Sequence, residues 1–530
     1  MHNLTRKELA TALSFFLASF ILYLAIAVLR EDPGYMDESY YLVGARNLAV
    51  GVGFHENILW NFLDDPSGFP HPSHLYWMPL ISILSAGSMK VFGLNYIAGS
   101  IPHALIASII APCVYLTVMR WIKDQFWSVI SGLLSIFGGY YLAYYSAVDA
   151  FSLYMLLGYG YFLAISKIFS RKQDEILKFA LAAGILAGIM HLTRADGLLW
   201  AGMFPVFLAI AAFSNRKQKN FSLRSYMLSA FFGLLLYFIV MSPWYIRNIQ
   251  LFGSLTAKGA SSNLFLTTYN DLFSYPATIV NKERWLNIGL DALFQQRLQA
   301  GSTNLLSILG VQLLVVNLPF VVVGVWKNWH SIWIKVNVFG LLVLFAFFTI
   351  LFPMAGMRGG FFHSGSAFQI FLWVMSIYGL KEVVSKLPLN ENVNRLKFER
   401  FIGFGYFVVV LCVTGILIIS KLGTWNVGTE EISEIDQTLL ELEIPPDEII
   451  LINDPATFHW VSNRPSIVIP NGDEDTMLSV MDRYDIEYAV LQVNHPPGLS
   501  GLYLAPYESE KFDVLVDENQ WFIFQKVTEE

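Results

Sequence analysis

Asp37 and Glu38 are adjacent carboxylates in the stretch Asp32-Pro-Gly-Tyr-Met-Asp-Glu-Ser-Tyr-Tyr41, walled by Tyr35, Tyr40 and Tyr41. A carboxylate partly withdrawn from water gains basicity, which suits it to the work of a general base. Asp149, in Tyr145-Ser-Ala-Val-Asp-Ala150, and the turn Leu192-Thr-Arg194-Ala-Asp196-Gly197 add two acids and an arginine at the ends of apolar runs. Ionisable residues in such places are costly to bury and tend to mark a site. Arg247, in Pro243-Trp-Tyr-Ile-Arg-Asn248, and Arg358, in the Gly-rich turn from Pro353 to Ala367, carry guanidinium forks that match phosphate oxygens. His363 lies in the same turn, and His71 and His74 lie in Phe69-Pro-His-Pro-Ser-His-Leu-Tyr-Trp77. With Asp37, His55 in the first loop offers a possible pair of ligands for a divalent ion, although no tight ligand spacing is present.

Each of these residues also has a plainer use. Asp37 can cap a short amphipathic helix, Ser39–Leu48, and Asp149 or Asp196 can cap the helix that follows it. Arg194 can pair with Asp196, Arg247 can snorkel to a membrane interface beside Trp244, and the histidines can hydrogen-bond locally. The 353–367 turn can be a flexible loop. Neither a phosphate-binding Gly-Lys-Ser/Thr loop, nor a dinucleotide fingerprint, nor a Gly-x-Ser-x-Gly elbow occurs.

The elements that must position these residues are apolar. Of 530 residues, 55% are hydrophobic and 14% charged, against roughly 25% charged in soluble domains. That excludes a soluble globular enzyme. The net charge of −7 hides a division. From Thr424 onward there are 22 acidic and 4 basic residues, a net of −18, which leaves 19 acidic and 30 basic residues, a net of +11, before it. No basic patch directs the chain to nucleic acid. Cys113 and Cys412 lie in apolar runs and read as small core residues. Asn3 and Asn220 head the Asn-x-Ser/Thr sequons.

A helix needs about 20 mainly apolar residues to cross a bilayer, and about eleven such runs are predicted. The first is Ala10–Leu29, read as uncleaved, and the others fall near 98–119, 126–147, 151–169, 179–193, 198–213, 226–243, 304–326, 336–352, 366–384 and 401–420. Leu75–Phe92 is apolar but carries Pro79 and Lys90, and the positive-inside rule decides its reading. If it does not cross, Arg120/Lys123, Arg171/Lys172/Lys178, Arg216/Lys217/Lys219/Arg224, Lys327/Lys335 and Lys381/Lys386/Arg395/Lys397/Arg400 all fall on the side of Arg6 and Lys7. It is therefore expected to be interfacial or re-entrant, with a cytoplasmic N-terminus and an outer acidic tail. The predicted domains are 1–423 in the membrane, with outer loops 30–97 and 244–303, and an extracytoplasmic α/β domain over 424–530. In the latter, a helix carrying Ile432, Ile435, Leu439 and Leu442 precedes strand-like runs at Glu448–Ile452, Ser466–Ile469, Tyr488–Gln492 and Trp521–Phe524.

An uncleaved first span followed at once by Asp37-Glu38, a Pro-rich aromatic segment from Phe69 to Pro79, Asp149 after the third span and a Thr-Arg-x-Asp-Gly turn together resemble a GT-C membrane glycosyltransferase. The chain is most similar to the family 39 group, which includes protein O-mannosyltransferases and the aminoarabinose transferase of lipid A. Pro-Trp-x-x-Arg-Asn and the acidic tail look like the prokaryotic members. The resemblance covers about residues 10–420 by topology, with motif matches confined to the outer loops. It implies a polytopic α-helical GT-C fold and an inverting transfer of a monosaccharide from a polyprenyl-phosphate donor to an acceptor hydroxyl on a lipid, glycan or protein, in the cell membrane.

On this resemblance Asp37 matches the catalytic acidic position, Glu38 its neighbour and Asp149 the second acidic position. Arg247, Arg358, His71, His74, Arg194, Asp196 and His363 are the candidate donor-phosphate and substrate contacts. The chain departs from the lipid A enzyme in having His71 and His74 where that enzyme's Pro-rich segment carries a phosphate-facing Lys. No organic cofactor is implied, and a divalent metal stays open. The alternative is a polytopic transporter or lipid flippase, which would place its polar groups near the bilayer midplane and often in repeated halves; here they gather at span ends. A membrane scaffold acting through its acidic tail is a third reading.

Overall fold

The computed structural model describes residues 4–169, 173–218, 221–518 and 520–527. The sequon residues Asn3 and Asn220, and Arg171, Lys172 and Lys219 of the basic loops, lie outside the described residues. The chain forms two compact units: Met1–Leu29, Ser100–Arg247 and Arg297–Gly423 make the first, and Arg30–Gly99, Asn248–Gln296 and Thr424–Glu530 the second. Residues 30–99 and 248–296, assigned above to the membrane domain, instead pack with the tail.

Among the described residues nine helices are long and apolar enough to cross a membrane, fewer than the eleven or so predicted. The difference comes from breaks that hydropathy does not register. The run at 126–147 forms the 12-residue helix Gln125–Ile136, capped by the Asp124 carboxylate, and then a separate turn Gly139–Tyr144. The run at 304–326 continues the helix Gly289–Leu306 through a π-helical segment to Gln312, breaks where Leu314 and Val315 adopt positive φ, and resumes as Leu318–Lys327. Leu80–Phe92 has 13 residues, about 20 Å of helix against roughly 30 Å of hydrocarbon. With nine candidate spans the protein is a multi-pass membrane protein.

Helices in lipid associate through close packing rather than through the expulsion of water, which favours small residues at their contacts. Leu318–Lys327 lies against Gln369–Val384 in this way. A Cβ at Gly379 would stand 1.8 Å from the Phe320 carbonyl oxygen, and one at Gly324 would stand 2.2 Å from that of Met375. Cys113 and Cys412 are free; Cys412 is exposed and Cys113 partly so, so neither is the core residue expected.

The second unit contains β1 (His55–Glu56), β2 (Ile58–Leu59), β3 (His71–Pro72), β4 (Ile450–Ile452), β5 (Ser466–Val468), β6 (Tyr488–Gln492), β7 (Phe512–Asp517) and β8 (Trp521–Lys526). β1 and β3 make a small antiparallel pair. The other six form one sheet in the order β2-β5-β4-β6-β8-β7, parallel from β2 to β6 and antiparallel thereafter. Successive strand residues face opposite sides. Leu451, Ile467, Ala489 and Leu491 therefore pack on Met477, Val480 and Met481 of the helix Glu474–Tyr484. On the other face Ile450, Ile452, Val490 and Ile523 pack on Ile432, Ile435 and Leu439 of Val427–Glu441 and on Phe458 of Pro455–Ser462. This is an open, doubly wound α/β layer, to which the first loop adds its edge strand β2.

Candidate functional site

In the first unit the polar residues converge on one short helix. After the Gly-rich turn, Gly359 takes φ +99°, a left-handed conformation that glycine adopts without penalty. The chain then enters the helix Phe361–Gly365, which presents His363 and Ser364 in succession. His363 Nε2 lies 3.0 Å from Asp149 Oδ2, and its Nδ1 lies 2.8 Å from the Gly359 carbonyl oxygen. The ring stacks on Phe151 at 4.3 Å and 19°. Asp149 is 1% exposed, and its Oδ1 accepts from the Ala150 N–H at 2.5 Å.

Through these two contacts Gly359 and Asp149 fix the orientation of the His363 ring.

Ser364 reaches the second acid. Its hydroxyl donates to Asp196 Oδ2 and accepts from Arg194 Nε at 3.1 Å. Arg194 Nε also donates to Asp196 Oδ1 at 2.9 Å. The Tyr154 hydroxyl donates to Asp196 Oδ2 at 3.2 Å and accepts from Trp200 Nε1 at 3.0 Å. Asp149, Arg194, Asp196 and His363, all singled out in the sequence, are therefore brought together through consecutive residues of one helix. Ser364, Tyr154 and Trp200 were not foreseen. Ser364 adjoins a flagged histidine, whereas Tyr154 and Trp200 lie inside apolar runs and give no sign. Arg358 is exposed beside Gly359, and Arg247 stacks over Trp244 at 4.4 Å.

In the second unit the acidic pair divides. Helix Met36–Val50 begins with Tyr35 as its N-cap, so Asp37 is in the first turn and is not the cap. Consecutive helical residues point about 100° apart, and here one turns inward. Glu38 is fully buried and accepts from the Gly34 N–H and the Tyr96 hydroxyl, both at 3.0 Å. Asp37 stays partly exposed. Arg30, also buried, lies over the rings of Trp425 at 4.6 Å and Tyr96 at 5.7 Å.

The histidines read as donor-phosphate contacts are engaged elsewhere. His71 Nε2 meets the Ile58 carbonyl oxygen at 2.7 Å and Nδ1 that of Pro72 at 3.0 Å. Burial pushes its pKa down against the upward pull of those carbonyls. His74 is wedged between the hydroxyls of Ser73 and Ser82, at 2.8 and 2.9 Å. Both are buried, and these contacts hold the loop together. His55 is exposed on β1, and its carbonyl accepts from Asn47 at 2.9 Å.

No protein-family model matches the chain, and no curated protein matches its sequence. Its structure is similar to ArnT from Cupriavidus metallidurans in the apo state, with a TM-score of 0.55, 11% identity and 97% of each chain covered. It is similar also to the same protein bound to undecaprenyl phosphate, with a TM-score of 0.54, 11% identity, and 97% of this chain and 98% of that one covered. The chain shares the fold of ArnT over nearly its whole length.

Proposed function

We propose that this protein is an inverting glycosyltransferase that moves a monosaccharide from a polyprenyl-phosphate donor to an acceptor hydroxyl at the outer face of the cytoplasmic membrane. The observation that carries this reading is the fold shared, along both chains, with a protein whose structure holds undecaprenyl phosphate. A lipid-linked donor keeps its tail in the bilayer and presents its sugar phosphate at the surface, so a nucleotide-binding fold is not required. The charge division supports the orientation: a membrane part of +11 with its basic loops inside, and a tail of −18 outside.

The reaction balances simply. The acceptor oxygen attacks the anomeric carbon from the side opposite the phosphate; the C–O bond to phosphate breaks, the phosphate leaves with the electron pair, and the configuration inverts. The acceptor's proton goes to a carboxylate. Asp37 is the proposed base because it is partly exposed in the first turn of its helix, whereas Asp149 is shielded and already pinned by imidazole. Glu38 positions that first turn through Gly34. Arg247 and Arg358 would neutralise the charge that gathers on the departing phosphate.

The test is Asp37→Asn in purified full-length protein supplied with polyprenyl-phosphate-linked sugars and membrane acceptors. A fall in transfer of about 10²–10⁴-fold with unchanged thermal stability is expected. Near-full activity would remove Asp37 from the base role, and movement of the lipid-linked sugar without cleavage of its phosphate bond would favour a flippase.

A further inference from the structure

The second unit carries a cleft of its own, of about 370 Å³, lined by Thr268, Asn270, Asp271, Arg284, Asn471, Gly472, Pro497 and Gly498. In open α/β sheets the crevice for ligands forms beyond the carboxyl ends of parallel strands, where the strand order reverses. Among the strands of the tail β4 comes first and lies between β5 and β6, which makes it the point of reversal. Asn471 and Gly472 leave the carboxyl end of β5, and Pro497 and Gly498 follow that of β6. The segment from Thr268 to Arg284 forms the other wall and is joined to the first by the hydrogen bond from the Asn471 N–H to the Phe273 carbonyl, at 2.7 Å.

The chemistry of the walls narrows the ligand. Asp271 takes five donors: Thr267 N and Oγ1 at 2.6 and 2.7 Å, Thr268 N and Oγ1 at 3.0 and 3.2 Å, and Arg284 Nη2 at 2.9 Å. Burial raises its pKa, but these donors outweigh burial and hold it below the usual carboxylate range. With both oxygens engaged, Asp271 is a poor ligand for a cation. It also neutralises Arg284, so the walls offer an anion no uncompensated positive charge. Arg284 Nη1, however, is shielded from solvent and has no hydrogen bond among the described residues. The side-chain amides of Asn270 and Asn471 likewise make none among the described residues. Guanidinium and amide N–H donors beside amide oxygens, with no net charge, complement groups that both donate and accept. Hydroxyls do so.

We propose that this cleft binds a neutral saccharide, one or two sugar units of the glycan that serves as acceptor. Its volume falls in the range of about 300–1,000 Å³ usual for small-molecule sites. The term acceptor rests on the transferase reading above; the binding itself does not.

The experiment is saturation-transfer NMR on the full-length protein in lipid nanodiscs with maltose, cellobiose, mannobiose and chitobiose as probes and no donor present. At least one disaccharide is expected to bind, and Asn270→Ala combined with Asn471→Ala to weaken it about tenfold or more without moving the melting temperature. Inorganic phosphate is expected not to compete. The proposal is overturned if none of the four binds, if the double variant binds as well as the parent, or if phosphate displaces the sugar. Sugar transfer that persists in a protein binding no disaccharide would sink this proposal alone, whereas disaccharide binding in a protein that cleaves no lipid-linked sugar would sink the transferase reading alone.

Discussion

The pairing of Asp149 with His363 yields a number. The contact is 3.0 Å long, and the two side chains are 1% and 11% exposed, so solvent screens it little. A hydrogen bond to a charged group contributes about 1.5–3 kcal/mol. His363→Phe keeps an aromatic face against Phe151 while removing both ring nitrogens, and Asp149→Asn keeps the shape while removing the charge. The thermodynamic cycle of the two single variants and the double variant should give a coupling energy of about 1.5–3 kcal/mol. Independent sites add to within about 0.5 kcal/mol. The assay is unfolding of the purified protein in mixed micelles by titration with SDS, followed by tryptophan fluorescence. Additivity within about 0.5 kcal/mol would refute the contact and, with it, the role of the Phe361–Gly365 helix in fixing Asp149.

His459 gives a pH dependence of defined sign. Burial pushes its pKa from 6.5 down to about 4, so between these values the unfolded chain binds the proton first. Stability is full above about pH 6.5 and falls by about 3 kcal/mol as the pH drops toward 4. His71, lowered by burial as well, adds in the same sense. His459→Gln should flatten the profile in that window, and an unchanged profile would contradict the assignment. Gly379→Ala would set a Cβ 1.8 Å from the Phe320 carbonyl oxygen; a loss of about 1–3 kcal/mol is expected in the same SDS titration, and a neutral result would mean that the two helices are not so closely packed.

What the sequence disclosed follows from the range of the interactions involved. β4, β5, β6 and β8 lie in unbroken β-branched and aromatic runs, which local pattern reveals. β2 is two residues long and joins the sheet by pairing Ile58 with Ser466 and Leu59 with Ile467, contacts no local pattern announces. The interrupted spans were missed for a related reason, since Leu314 and Val315 hold positive φ without a glycine to signal it. Asp149, Arg194, Asp196 and His363 were legible as charges at the ends of apolar runs. That His363 meets Asp149 across 214 residues was not. Asp37 and Glu38 looked equivalent as neighbours, and only the phase of their helix sent Glu38 inward to Tyr96. For His71 and His74 local hydrogen bonding and a phosphate contact could not be told apart, because the partners that engage them include backbone carbonyls and serines, which carry no charge pattern.

Sugar transfer from a polyprenyl phosphate can be read in cells by comparative mass spectrometry of glycolipids, glycoproteins and polyprenyl-phosphate sugars with and without the gene. Loss of the gene should remove one monosaccharide mass from a defined acceptor and cause the matching polyprenyl-phosphate monosaccharide to accumulate, with both changes reversed by the parent gene and not by Asp37→Asn. Identical glycan and lipid-linked sugar profiles in the two cell types, or full restoration by Asp37→Asn, would contradict it.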